Sequence, residues 1–395
     1  MTPWQATRLS LKTIFLFLLC KDRTMNRPLS LGFIGGGINS AIGLTHKIAS
    51  QMDGHFELVT GCFSRDKTLS KQTGLAWGLK DEAIYTNAAT LLEEQHAQMD
   101  AVVILTPTPA HREIILACLE YGLPVISEKA MVASVTDARD IAQRVADING
   151  QLYVTYNYTG YPMVRELRER LRRGELGSIQ HVMVEMPQEG FIRSREDGSV
   201  AQPQEWRRVD GDIPTVSLDL GVHVHQLVEF LTDKRAEDVY AINSTFARVP
   251  NVVDTVNLVS RYDDDMVCNY WYGKAALGYR NGLRIRIYGS EGSAEWLQME
   301  PEYLHLADVH GNIRLIDRTA GDNTVANQPR YCRFKAGHPA GFIEAFANYY
   351  ADIAASLRGE PTGYSLSCDT AVRGLEFLEK AQQSALTSAK VELLR

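Results

Sequence analysis

Cysteine pairs, a surplus of positive charge and long apolar runs are all missing from this chain, and each absence closes off a class of protein. The six cysteines, Cys20, Cys62, Cys118, Cys268, Cys332 and Cys368, lie far apart, with no Cys-x-x-Cys pair and no histidine at ligand spacing. That pattern points to reduced thiols and away from a disulfide framework or structural zinc, and no metal site is expected. Lys and Arg total 41 against 48 Asp and Glu, a formal net charge of -7, with the basic residues scattered along the chain. No field results that would draw in a phosphate backbone or an anionic lipid surface, so neither nucleic acid nor membrane is expected as a partner. The apolar run Ile14 to Cys20, behind Arg8 and Lys12, loosely imitates a secretion signal. It is far shorter than the ~20 residues a spanning helix takes. Lys21-Asp22-Arg23 follow where a small-residue cleavage site would stand. Residues 1–24 therefore read as a non-native or disordered extension, with the true start near Met25 and the protein cytoplasmic; an export signal is the alternative reading.

What is present is ordinary globular composition, 45% hydrophobic and 23% charged over 395 residues, too much chain for one small core. Two domains are expected. From Leu29, "LSLGFI", "FELVTGCF", "DAVVILTP", "LPVISE" and "QLYVTYNY" read as strands, separated by amphipathic stretches near 41–52, 66–74, 88–96, 110–121 and 134–148. Alternating strands and helices predict a parallel sheet covered on both faces, an α/β domain over 25–155. Tyr161-Pro162 then opens a helix that stops at Gly174 to Gly177, and the rhythm changes. Strand-like segments at 179–188, 236–249, 253–262, 266–273, 282–289, 293–299 and 302–308 follow one another mostly without helices between them. They predict a second domain, 156–395, on a largely antiparallel or mixed sheet. Two late helices, "GFIEAFANYYADIAASLRG" and "DTAVRGLEFLEKAQQSAL", complete it.

"LGFIGGGINSAIGLTH" (31–46) places glycines directly after the first strand and ahead of a helix. In that context glycine lets the backbone turn tightly and approach a dinucleotide pyrophosphate, while the helix N-terminus supplies amide donors. Gly35 and Gly37 fit the first two positions of the pattern, and Gly43 takes the third after a three-residue insertion. At the end of the second strand a carboxylate would suit the ribose of NAD, and an arginine the phosphorylated ribose of NADP. This chain has Ser64 and Arg65 there, with Asp66 slightly late, which tilts the reading from NAD toward NADP. Arg65 and Asp66 also read as the solvated start of the next helix.

"SEKAM" (127–131) brings Lys129 out at the carboxyl end of a parallel strand, where open α/β sheets bind ligands. In "SLDLGVHVHQLVEFL" (217–231), Leu220, Val224, Leu227 and Leu231 form a helical core stripe, and Asp219 and His223 fall at i and i+4 beside it. A carboxylate next to an imidazole orients it and stabilises its protonated form, as a general base near neutral pH requires. Gly221 costs such a helix ~1 kcal/mol against alanine, so another group is expected close by. His225 points away from Asp219 and reads as structural.

These residues resemble the Gfo/Idh/MocA oxidoreductase family from Leu29 to about Leu357. "FIGGG...IGLTH" is similar to the family's first turn, "ILTPTPAHREIILACLEYGLPVISEKA" to its strand, helix and Glu-Lys-Pro signature, "YNYTGYP" to its Asn-Tyr-Arg-x-x-Pro stretch, and "DLGVHVHQLVEFL" to its Asp-x-x-x-His helix. The resemblance implies a Rossmann domain, a C-terminal domain on an open, predominantly antiparallel sheet, and hydride transfer between a nicotinamide and a sugar or polyol carbon. It assigns Lys129 to the reacting hydroxyl, His223 to its proton and Asp219 to holding His223. It sets Thr106, Pro107, His111, Glu128 and Asn157 along the cofactor or substrate cleft. The lengthened first turn, Ala130 in place of proline and Thr159 in place of arginine depart from the pattern. A cis bond before a residue other than proline costs ~3 kcal/mol, so Ala130 argues against one after Lys129.

Trp206 and Arg207, just ahead of the Asp219 helix, are placed to offer a sugar a stacking face and a cationic donor. Arg193 and Arg195 read instead as a solvated loop. Two rivals stand beside a dehydrogenase: a hydrolase that transiently oxidises a glycoside on bound NAD, and a non-catalytic sugar sensor. Strands "VNLVSRY" and "MVCNYWYG" carry apolar or aromatic residues to both sheet faces. One face is expected to lie under the first domain and the helix near 342–357, and the other against a second copy, giving a homodimer or homotetramer.

Overall fold

A computed structural model gives the fold, and it describes residues 27–393 except 201, 202, 248, 250 and 336. The extension expected over 1–24 and the start near Met25 lie outside the described residues. Five apolar runs form five parallel strands, with helices between them: β1 (Leu29–Gly35), α1 (Gly43–Gln51), β2 (Phe56–Cys62), α2 (Lys67–Ala76), α3 (Ala88–Gln95), β3 (Ala101–Leu105), α4 (His111–Glu120), β4 (Val125–Ser127), α5 (Val135–Asp147) and β5 (Leu152–Val154). The strand order is β2-β1-β3-β4-β5. It reverses direction between β1 and β3, which opens a crevice at their carboxyl ends. Local chemistry sets the helix starts: Asn87, Asp66 and Ser134 each accept a backbone N–H of the first turn of α3, α2 and α5.

Alternation along the buried strands sorts the core into two faces. Ile34, Val102 and Ile104 pack with Leu91, Ile115, Leu119 and Ile141 from α3, α4 and α5. Leu31, Phe33, Ala101, Val103 and Leu105 face the other way. That second face is closed by a late helix, described below, as well as by α1.

Beyond β5, α6 (Pro162–Arg172) starts on a proline at its first position, where the missing N–H costs nothing. A mixed sheet follows, built from β6 (Ile179–Pro187), β7 (Ala236–Ser244), β8 (Thr255–Tyr262), β9 (Val267–Gly273), β10 (Arg284–Gly289), β11 (Gly292–Leu297), β12 (Tyr303–Asp308) and β13 (Ile313–Asp317). The helix α7 (Val222–Thr232) precedes β7, while α8 (Phe342–Leu357), α9 (Cys368–Thr387) and the two-residue β14 (Val391–Glu392) close the chain. The order is β13-β12-β11-β10-β6-β9-β8-β7-β14, with β6 and β9 parallel and the other described pairs antiparallel. In β8, Val256, Leu258, Ser260 and Tyr262 point inward while Asn257, Val259 and Arg261 face out. The inner face packs with Leu227 and Val228 of α7 and Leu375, Phe377 and Leu378 of α9.

Helix α8 departs from its expected place. Its stripe of Phe346, Tyr349, Tyr350 and Ile353 lies on the first sheet, against Leu31, Phe33 and Val103. Helix α1, with nine residues, is too short to cover that apolar face alone. Strand β13 was not legible because only Ile316 of its five residues is buried, so it carries no alternation. Among the described residues no helix is long and apolar enough to cross a membrane, and Cys62, Cys118, Cys268, Cys332 and Cys368 are free thiols.

Candidate active site

The glycine turn is shaped by contact distances that no side chain would tolerate. Gly35 and Gly36 have φ of +89° and +75°. A Cβ on Gly35 would sit 2.6 Å from the backbone of Leu105 and Thr106, at the end of β3. On Gly43, the first residue of α1, it would sit 1.8 Å from the Gly36 carbonyl oxygen. The late third glycine therefore still does what the pattern requires: it lets the helix start press against the turn. On Gly37 a Cβ would lie 3.2 Å from the Phe63 carbonyl. At the end of β2 the Ser64 hydroxyl accepts from the Asp66 N–H, and Asp66 caps α2 through the Leu69 N–H. Arg65 beside them is exposed. Thr106 Oγ1, just past β3, and Asn157 Nδ2, just past β5, are buried without hydrogen-bond partners. Pro107 begins the turn into α4. The cradle and the unpaired Thr106 hydroxyl fit a dinucleotide at the β1/β3 reversal.

The second part of the site gathers around Asp219. Residues 217–221 form a π-helical turn ahead of α7. This wider turn takes Asp219 out of the i,i+4 relation to His223 that an α-helix would give. Instead of holding His223, Asp219 receives three cations. The Lys129 ammonium donates to its Oδ1 and its main-chain oxygen, both at 2.8 Å. Arg207 Nη1 reaches Oδ2 at 2.6 Å, and Lys274 Nζ lies 2.5 Å from the same oxygen. Burial pushes the Asp219 carboxyl up, but Lys129, Lys274 and Arg207 together hold it well below its usual range. Gly221 makes room for neighbours, as expected: a Cβ there would meet Leu378 at 2.8 Å and the Tyr272 ring at 3.0 Å.

His223 is buried beside this cluster, its ring edge-on to Tyr158 with centroids 4.8 Å apart, and its Nδ1 has no hydrogen-bond partner. Burial first, and the Lys129 charge second, push its pKa down to about 3. It is a neutral imidazole at physiological pH. The Lys129–Ala130 bond is cis despite Ala130, and the buried Ala130 carbonyl oxygen lies 3.0 Å from His111 Nδ1. His111 spans the strand ends, with Nε2 2.7 Å from the Thr106 carbonyl; both ring nitrogens face main chain, which makes it a strut. Glu128 is likewise committed inward. Its Oε1 takes the Thr155 hydroxyl and lies 3.0 Å from His46 Nε2, while His46 Nδ1 is 2.7 Å from the Tyr350 hydroxyl of α8. Trp206 is half-buried with Arg207 stacked over its ring at 4.8 Å. His225 stacks on Phe377 at 4.4 Å, away from the cleft.

Residues 29–156 match the oxidoreductase family model with an NAD-binding Rossmann fold, and residues 164–295 match the GFO/IDH/MocA C-terminal domain. The chain belongs to the Gfo/Idh/MocA oxidoreductase family. It is 28% identical to the uncharacterized oxidoreductase YfiI of Bacillus subtilis, over 93% of this chain and 97% of that one. A structure of an inositol dehydrogenase homolog from Azotobacter vinelandii, complexed with NADH and myo-inositol, superposes with a TM-score of 0.84 at 26% identity, covering 93% of this chain and 98% of that one. A myo-inositol 2-dehydrogenase of Thermotoga maritima is 24% identical over 53% of this chain, which spans 60% of that relative's length.

Within this family member, one site residue escaped the sequence. Lys274 directly follows β9, and its only signal was the one that singled out Lys129: a lysine at a strand end. The network of His46, Glu128 and Tyr350 left no signal, because its members lie on segments far apart in the chain.

Proposed function

We propose that this oxidoreductase transfers a hydride between a nicotinamide cofactor and a hydroxyl-bearing carbon of a sugar, sugar derivative or polyol. The observation that carries the reading is the convergence of Lys129, from the first sheet, with His223 and Asp219, from the second domain, at the carboxyl edge where the glycine cradle also lies. A bound nicotinamide supplies or accepts the hydride. Lys129, aimed by Asp219, donates a hydrogen bond to the reacting oxygen, and the neutral His223 takes the hydroxyl proton as the carbon loses its hydride. An imidazole with so low a pKa is a weak base. The nearby ammonium compensates by acidifying the hydroxyl. Trp206, with Arg207 stacked on it, borders the substrate end.

The exposed Arg65, and the commitment of Asp66 to capping α2, favour NADP over NAD; the Azotobacter relative, in contrast, was solved with NADH. One assay tests both statements: kcat/KM for NADP and for NAD with a panel of polyols and sugars, followed by absorbance of the reduced cofactor. Net reduction with NADP preferred is expected. A preference for NAD would overturn the cofactor assignment, and aglycone release from a glycoside without net reduction would turn the reading to the hydrolase. We further propose that the outer face of the second sheet, with Ile242 54%, Val259 44% and Tyr240 42% exposed, is buried against a second copy. Light scattering at micromolar concentration should give a dimer or tetramer, and a monomer there would sink this.

A further inference from the structure

Three cations share one carboxylate in this cleft. Among the described residues, Asp219 is the sole acidic group within ion-pair distance of Lys129, Arg207 or Lys274. Lys274 is nine-tenths buried, and Arg207 Nε is a buried donor with no acceptor. Burying positive charge costs free energy unless a counter-charge accompanies it, and here one carboxylate makes ion pairs with three cations, while Glu128 acts on Lys129 from further off and is itself tied to His46. The surplus is local, since the chain as a whole carries -7.

Further cations stand next door. Arg193, Arg195 and Arg280 line an open cavity of about 410 Å³ together with Glu189, which pairs with Arg193 and Arg280. This cavity is joined to the cluster through Phe191, whose N–H donates to the Lys274 carbonyl at 2.9 Å and whose ring lies 5.4 Å from the Lys274 ammonium. Arginines of the loop thus stand near the cation cluster at the reacting end of the cleft.

Resting on the dehydrogenase reading above, we infer that the substrate is an anionic polyol: a sugar or polyol bearing a carboxylate or phosphate, with Lys274 and Arg207 as its specificity-determining residues. A neutral polyol would leave Asp219 as the one ion-pair partner of the buried Lys274 and of the half-buried Lys129 and Arg207. An anionic group beside the reacting hydroxyl supplies a second, and bidentate contact with Arg207 would orient it. The reacting hydroxyl stays with Lys129 and His223.

Calorimetric titration of the cofactor-loaded enzyme with matched pairs tests this: gluconate against sorbitol, glucuronate against glucose, and glucose 6-phosphate against glucose. At least one anion should bind tenfold or more tightly than its neutral counterpart, with the advantage shrinking as salt is raised; which pair responds separates carboxylate from phosphate. Lys274→Gln should bring that ratio near one. Should the buried substitution fail to fold, the exposed double variant Arg193→Ala/Arg195→Ala should still reduce the ratio threefold or more. Neutral partners binding as tightly in every pair, or no anion binding at all, overturns the inference. Turnover of a neutral polyol with no preference for an anion would overturn it while leaving the dehydrogenase reading intact. Tight anion binding with no cofactor reduction by any compound would do the reverse.

Discussion

At the glycine turn the site is made of backbone, and at Asp219 it is made of side chains drawn from four separate segments. Gly35, Gly36 and Gly43 matter for what they omit: a Cβ on Gly35 or Gly43 would strike main chain, and one on Gly36 the Leu105 side chain. Lys129, Arg207, Lys274 and Asp219 matter for what they bring, and each is placed by a different loop or turn. The first arrangement leaves no room for bulk, and the second is held together by charge.

Breaking the charge end should have the largest effect. Lys129→Met is expected to lower turnover at least ~100-fold, the scale for losing a positioned acid-base group, with cofactor affinity nearly unchanged. Wild-type turnover in that variant would remove Lys129 from the chemistry. At the backbone end, Gly43→Ala should raise the cofactor Kd by about tenfold or more, since overpacking of this kind costs about 1–3 kcal/mol, while kcat at saturating cofactor changes little. If Gly43→Ala instead lowered kcat and spared cofactor affinity, the two ends would not be separable. The smallest effect is a shift in pH profile. Because burial and then Lys129 depress His223 to about 3, kcat/KM for alcohol oxidation should show no histidine limb near ~6.5 and stay flat from about pH 7 to 5. The sign for stability follows from the same depression: between about 6.5 and 3 the unfolded chain binds a proton that folded His223 refuses, so stability falls as pH drops through that window. An acid limb near 6.5 that disappears in His223→Ala would show that neither burial nor the Lys129 charge depresses His223 as described.

The contrast between the two ends also explains what was legible. Strand and helix alternation over 29–154 could be read because each buried strand is a short apolar run and each helix carries a stripe and a cap, signals contained within a dozen residues. The glycine turn was readable for the same reason, its insertion included. The expected Asp219–His223 pair makes no direct hydrogen bond: residues 217–221 form a π turn, and the Asp219 carboxylate meets Lys129, Arg207 and Lys274, its charge still acting on His223. Lys274 and the His46–Glu128–Tyr350 chain were hidden because their meaning is their partner, and the partners lie at least 55 residues away.

The sequence by itself therefore determined the elements of the first domain and the glycine cradle, for which local sterics and periodicity suffice, while the candidacy of Lys129, Asp219 and His223 also drew on the resemblance to the family. Only the tertiary structure decided that α8 crosses back to close the first sheet, that Asp219 serves three cations rather than one imidazole, and that His223 stands neutral among aromatic rings. Those outcomes depend on burial and on Coulomb attraction between groups distant in sequence, which have no fixed spacing along the chain to betray them.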